Sequence, residues 1–292
     1  MAAGIRDLEG FELVHPFQVC PENVLEIKKI LGDTGLAPVS VAASISSKPQ
    51  FRMGSLTADL PEIRREAIES VKSAMDCAVE LGTDLVTVWL GRDGFDNPFQ
   101  VDYEESWHRL SGAFKEICTY RPEIRIGIEY KIKEPRRWLF TSTASRVLLL
   151  AHEIQAPNLG ALLDIGHALL AYENLGEVVY LLARENRLFD VHLNDNTRIW
   201  DDDMAMGSIH LLEHLELLYW LERVEYEGWL TFDVHSILEN PTRLVEESLH
   251  FTRGMTQVMA EIGRPAIEEA IRTRQVTEIM ALVGKVIFPK AY

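Results

Sequence analysis

Hydrophobic residues fall along this chain in two alternating rhythms. Short apolar runs rich in β-branched residues occur at Phe11 to His15, Ala37 to Ala43, Asp84 to Leu90, Arg125 to Lys131, Leu159 to His167, Leu188 to Leu193 and Trp229 to His235. Each reads as a strand. Between them apolar positions recur at helical spacing, over about 22–34, 60–81, 103–119, 141–154, 174–185 and 209–224, with a further stretch at 241–262. The strand runs do not alternate with polar residues, so both faces are expected to be buried, as in a parallel sheet covered by helices.

At this length, strict β-α alternation favours a closed (β/α)8 barrel of the TIM type over an open doubly wound sheet. Seven runs are one short of closure, and residues 1–9 read as the last turn of a helix, so the first β-α unit is expected to be absent. The barrel is assigned to residues 1–262 and a C-terminal helical extension to 263–292, with a helix-prone run from Ala266 to Leu282.

Composition narrows the function. The 292 residues are 47% hydrophobic, enough for a sizeable core, and carry a formal net charge of −16, which would repel a phosphate backbone. Nucleic acid is therefore not an expected partner. No run approaches the roughly 20 apolar residues that cross a bilayer, and the N-terminus lacks a basic-then-apolar leader, so a soluble cytoplasmic protein is expected with no membrane partner. Cys20, Cys77 and Cys118 lie too far apart for a zinc knot or disulfide framework. Neither G-x-G-x-x-G nor G-x-x-x-x-G-K-[ST] occurs, which weakens nucleotide binding.

The chemistry sits at the strand ends, where barrels of this class place their catalytic groups. Glu129 and Lys131 close the fourth run, Asp164 and His167 the fifth, His192 and Asn194 the sixth, Asp233 and His235 the seventh. Any one of these is commonly a helix cap or a satisfied polar group. Four successive strands converging acids on one rim would raise each other's pKa values, a cost that a divalent cation removes. Oxygen and imidazole donors without thiolate suit Mn, Mg or Co, with zinc possible. The Asp201-Asp202-Asp203 run reads either as a solvated loop or as a source of ligands for a second ion, with Asp164 bridging.

The motifs Val-Trp-Leu-Gly-Arg-Asp-Gly (88–94), Gly-Ile-Glu-Tyr-Lys-Ile-Lys-Glu-Pro-Arg (127–136), Leu-Asp-Ile-Gly-His (163–167), Leu-Phe-Asp-Val-His-Leu-Asn (188–194), Trp-Asp-Asp-Asp-Met (200–204) and Thr-Phe-Asp-Val-His (231–235) resemble, in order and spacing, those of the xylose isomerase-like barrels. The resemblance is greatest to sugar isomerases of the bacterial L-rhamnose isomerase and xylose isomerase type. It implies that Glu129, Asp164, His192 and Asp233 bind a first metal, and Asp164, His167, Asp201 and Asp203 a second, giving two divalent cations per subunit. It further implies that Lys131 hydrogen-bonds the substrate near its carbonyl, that Trp89 walls the pocket, and that His15 and His235 stand near the sugar. Lys131, His167 and Asp203 are the implied catalytic groups. Ser44-Ile45-Ser46-Ser47 replaces an aromatic wall usual in the group.

The implied activity is aldose–ketose isomerisation of a free monosaccharide, a deoxy-sugar being one candidate, by metal-assisted hydride shift. A single-metal epimerase of the same fold and an inactive metal-binding incomplete barrel are the alternatives. A homo-oligomer, dimer or tetramer, is implied by the resemblance and would cover an unpaired sheet edge.

Overall fold

A computed structural model describes residues 4–291. Its strands are β1 (Gly10–His15), β2 (Ala37–Ala43), β3 (Leu85–Trp89), β4 (Gly94–Phe95), β5 (Arg125–Glu129), β6 (Lys133–Glu134), β7 (Arg137–Leu139), β8 (Leu159–Asp164), β9 (Leu188–Leu193) and β10 (Leu230–Phe232). The helices are α1 (Val24–Thr34), α2 (Pro61–Leu81), α3 (Tyr103–Tyr120), α4 (Ala144–Ile154), α5 (Ile165–Leu170), α6 (Leu175–Arg184), α7 (Leu211–Arg223), α8 (Pro241–Ile262), α9 (Arg264–Thr273) and α10 (Val276–Ile287).

Seven strands form one parallel sheet in the order β1-β2-β3-β5-β8-β9-β10, curled into a nearly closed barrel with helices outside. β1 and β10 are not bonded to each other. Between them a cavity of about 680 Å³ opens, lined by Phe11, Glu12, Leu230, Phe232 and the inner face of α8. The seven-strand count follows the sequence reading, and the opening lies where closure would require another stave.

The strands form where they do because both of their faces are covered: Leu159 through Asp164 are all buried, and such runs of apolar residues have no polar face to give to water. Side chains start several helices and glycines end others. Asp102, Thr143 and Asn174 accept a backbone N–H in the first turn of α3, α4 and α6, and α1 and α2 stop at Gly35 and Gly82 in the left-handed conformation. Ile126, Ile128, Phe114, Met75 and Leu110 are among the largest wholly buried side chains of one continuous core.

Three local expectations change. Gly4 stands in a 3-10 turn, residues 5–7 run as bend and turn and residues 8–9 are irregular, so of the helix end expected over 1–9 the described residues keep only that turn; residues 1–3 lie outside the described residues. The run Leu159 to His167 breaks at Asp164, whose carboxylate accepts the N–H of His167 at 2.9 Å and starts the short helix α5, so His167 stands on a helix. The C-terminal run divides at Arg274, in the left-handed conformation, into α9 and α10, with α10 packed along α8. A small antiparallel sheet, β4-β7-β6, is formed by the segments that follow β3 and β5 and was not legible beforehand. No helix among the described residues is long and apolar enough to cross a membrane.

Candidate active site

Glu129 is the last residue of β5 and Asp164 the last of β8, while His192 lies near the end of β9 and Asp233 just beyond β10. Neighbouring parallel strands in register bring their ends to one rim, with Asp164 paired to His192 across β8 and β9. Each of the four offers one donor atom, and these atoms all lie within 4.8 Å of one another. Asp164 and His192 are buried, whereas the Asp233 side chain is half exposed at the rim.

Asp164 is aimed by a glycine and an asparagine. Asn194 donates through Nδ2 to Asp164 Oδ2 at 3.0 Å and accepts the Gly166 N–H at 2.7 Å. A Cβ on Gly166 would fall 2.7 Å from Asn194 Oδ1 and 2.9 Å from Asn196 Nδ2, so only glycine admits this approach. The Leu-Asp-Ile-Gly-His motif thus supplies a carboxylate together with the gap through which its partner reaches it.

A cavity of about 350 Å³ opens beside the cluster, lined by Trp89, Glu129, Lys131, His167, Asp201, Asp203 and Asp233, with Ser44, Ser46 and Ser47 on another wall. Lys131 is buried; its Nζ lies 2.8 Å from Asp201 Oδ2, bonds Glu134 as well, and stands 5.4 Å from the centre of the Trp89 ring. His167 Nε2 is 3.1 Å from the same Asp201 oxygen, and its Nδ1 faces Glu129 at 3.6 Å. Arg92 donates to the Ser46 carbonyl at 3.3 Å and so holds the serine wall.

The electrostatics are those of crowded acids. Burial, reinforced by Asp164 and Asp233 against the pull of His167 and His192, pushes Glu129 up to about 7. Burial, then Asp201, Asp233 and Asp164, push Asp203 up to about 8. Burial alone would lower His167, but Asp164 and the bond to Asp201 outweigh it and carry the imidazole up to about 10. Lys131 is raised despite its burial, by Asp201 and Glu134. Cationic charge placed among these carboxylates relieves the repulsion.

The residues fit a divalent cation on two counts. Both ring nitrogens of His192, Nδ1 of His167 and Oδ1 of Asp201 are buried without a hydrogen-bond partner, and buried polar atoms seldom remain so. The donors are carboxylate oxygen and imidazole nitrogen, a set that suits Mn, Mg, Co or zinc. For the second expected site, Asp164, His167 and Asp201 come together with donor atoms within 4.8 Å, but Asp203 lies outside that group and Lys131 already engages Asp201.

Two expected substrate contacts are placed elsewhere. His15 turns outward to α2, where its Nε2 is 3.0 Å from Ser73 Oγ, because alternation along β1 points Glu12 and Val14 inward instead. His235 is exposed, and its backbone N–H donates to the Asp203 carbonyl at 2.8 Å. Neither lines the cavity. Glu12 is the residue that sequence reading missed: it sits inside the barrel 3.8 Å from His192 Nε2. The signal was an acid in an apolar strand run, three residues before His15 and so on the opposite face of β1.

A parallel β/α barrel with carboxylates and histidine converging at the C-terminal ends of its strands defines a TIM-barrel protein with an enzyme-type site. Residues 3–255 match the family described as the xylose isomerase-like TIM barrel, and the chain belongs to that family. It is 28% identical over 228 residues to a xylose isomerase of Thermus thermophilus, covering 76% of this chain and 59% of that protein. A xylose isomerase of Thermus caldophilus is 27% identical over 220 residues, covering 73% and 57%. The chain therefore spans less than three fifths of the length of these relatives. The crystal structure of a D-tagatose 3-epimerase-like protein shares the fold with a TM-score of 0.73 at 22% identity, over 87% of this chain and 90% of that one.

Proposed function

We propose that this protein is a divalent-metal-dependent isomerase that interconverts a free neutral aldose and its 2-ketose. The observation that carries the proposal is the convergence of Glu129, Asp164, His192 and Asp233 beside a cavity walled by Trp89 and Lys131. These four residues would hold the ion, and Asp164, His167 and Asp201, with Asp203 nearby, are the candidates for a second. Bound there, a divalent cation supplies positive charge that polarises the carbonyl and adjacent hydroxyl of the sugar.

The chain's own residues do the remainder. The Lys131 ammonium donates a hydrogen bond to a substrate oxygen, held in place by Asp201 and Glu134. The Trp89 ring covers the reacting carbons and excludes water. Asp203, in the carboxylate form that it would hold once a cation offsets the neighbouring acids Asp201, Asp233 and Asp164, takes the proton from O2 and returns it to O1. Within the substrate, the hydrogen on C2 passes to C1 with its electron pair, so that the C2 hydroxyl becomes the ketone and the C1 carbonyl a hydroxymethyl group. Acidic walls disfavour phosphorylated sugars.

A second reading, a single-metal epimerase, draws on Asp203 standing outside the Asp164–His167–Asp201 group. One experiment separates the two. A panel of sugars is incubated with Mn, Co or Mg after chelator treatment, using aldoses deuterated at C2 and ketoses deuterated at C3. Metal-dependent aldose–ketose conversion with deuterium retained at C1, reduced about 100-fold or more in Asp203→Asn, supports the isomerase. Ketose epimers with deuterium lost to solvent establish the second reading, and no conversion with any metal overturns both.

A further inference from the structure

His192 is the one histidine in the four-donor cluster, and neither of its ring nitrogens has a hydrogen-bond partner. A neutral imidazole carries one N–H and one lone pair. For the lone pair to face the cluster, the N–H must have an acceptor on the opposite side, and ligating histidines are held in this way by a carboxylate or carbonyl. On the cluster side, Nδ1 stands 3.5 Å from Asp233 Oδ2 and 3.9 Å from Asp164 Oδ2. On the far side, Nε2 faces Glu12 Oε1 at 3.8 Å.

Glu12 is fixed from behind. Its Oε2 accepts the hydroxyl of Ser40 on β2 and that of Thr87 on β3, the latter at 3.1 Å, and both hydroxyl residues are buried. With that oxygen committed, Oε1 is the one left for His192. The separation exceeds the long end of an N–H···O bond by about 0.6 Å, within reach of side-chain torsions. Asp190, one alternation before His192 on β9, joins them, with the three donor atoms within 4.8 Å of one another.

We propose that Glu12 is a positioning residue that accepts the Nε2–H of His192 and so leaves the Nδ1 lone pair facing Asp164 and Asp233. This rests on the metal-site reading of the same cluster. It places the origin of His192 orientation on β1, at the edge of the open seam, where Glu12 and His192 line the same cavity.

The test has two arms. In the first, metal-free protein labelled with 15N at histidine is examined by long-range 1H–15N correlation at alkaline pH, where His192, which the carboxylates around it keep protonated above the ordinary range despite its burial, is neutral, with His192 assigned by its loss in His192→Gln. Wild type is expected to show the Nε2–H tautomer, and Glu12→Met a mixture. In the second, Mn2+ is titrated and free ion read by electron paramagnetic resonance. Glu12→Met is expected to weaken binding about 10- to 100-fold, with Glu12→Gln losing less because its amide oxygen still accepts.

Ser40→Ala and Thr87→Val, which release Glu12 without touching His192, are expected to move both readouts in the same direction by smaller amounts, and they carry the test if Glu12→Met does not fold. Unchanged tautomer and Mn2+ affinity in folded Glu12 variants overturn the assignment of Glu12 alone. A wild type that takes up no Mn2+ overturns the metal-site reading, and the proposal with it.

Discussion

The same substitution, glycine to alanine, is expected to change sign between two helices of this protein. At Gly166 the added methyl would lie 2.7 Å from Asn194 Oδ1, inside van der Waals contact, with buried backbone and Asn196 around it. Asn194 must retreat, giving up its bond to the Asp164 carboxylate and its acceptance of the Gly166 N–H. A bond to a charged group contributes about 1.5–3 kcal/mol and an orphaned buried N–H costs about 1–3 kcal/mol. Helix propensity returns at most about 1 kcal/mol, so Gly166→Ala should destabilise by about 2–5 kcal/mol. At Gly32, inside α1, an added Cβ meets nothing within 4 Å, and Gly32→Ala should stabilise by about 0.5–1 kcal/mol. Urea unfolding at equilibrium, read by circular dichroism with the slope checked for constancy, measures both. A Gly166→Ala protein within about 0.5 kcal/mol of wild type would refute the claim that Asn194 and Asp164 depend on that gap.

Asp93, wholly buried, accepts the N–H groups of Ser55 and Thr57 at 3.0 and 2.7 Å and both of their hydroxyls. Asp93→Ala strands two backbone donors and should cost about 2–6 kcal/mol; Asp93→Asn keeps the three-bond oxygen and should cost clearly less, and equal losses on urea titration would contradict the bond count. Asp195 is held below its ordinary value of 3.8, since the bonds from His210 and the Ile209 N–H outweigh the cost of burial. A depressed carboxyl contributes stability that is complete above 3.8 and lost as pH falls through the lower folded value. The stability gap between wild type and Asp195→Asn should therefore close below that pH in a series of denaturant titrations; a gap that persists unchanged would rule out this linkage.

The barrel was legible because its strands are largely buried on both sides: Ala37–Ala43 and Leu188–Leu193 were bounded as observed, since short runs dominated by apolar residues between helical stretches read as strands in an alternating chain. Helix α8 was also bounded correctly, as 241–262. The β4-β7-β6 sheet escaped notice because its strands span two or three residues, too few to show a period. Helix α5 was hidden because its six residues are all buried, so no polar face marked the change from strand to helix. At the site, the strand ends marked a shared rim, and the resemblance to the family singled out Glu129, Asp164, His192 and Asp233, whose donor atoms the fold brings together. Asp203 and His235 lie on the loops beyond, where the main chain sets direction: Asp203 has a positive φ of 47° and its carbonyl receives the His235 N–H. Sequence spacing carries no record of such turns.

The open seam gives the rim an asymmetry of motion. Asp233 follows a three-residue strand bonded to β9 alone, while Glu129 ends a strand bonded on both sides. One wall of the site is therefore a free stave and the other a fixed one. An ion joining Asp233 to Glu129 would clasp the strand bonded on one side to the strand bonded on two. Loosening that stave would weaken the clasp and the clasp would hold the stave, so an incomplete barrel would gain from its occupant some of the stiffness that a closed ring of strands has on its own.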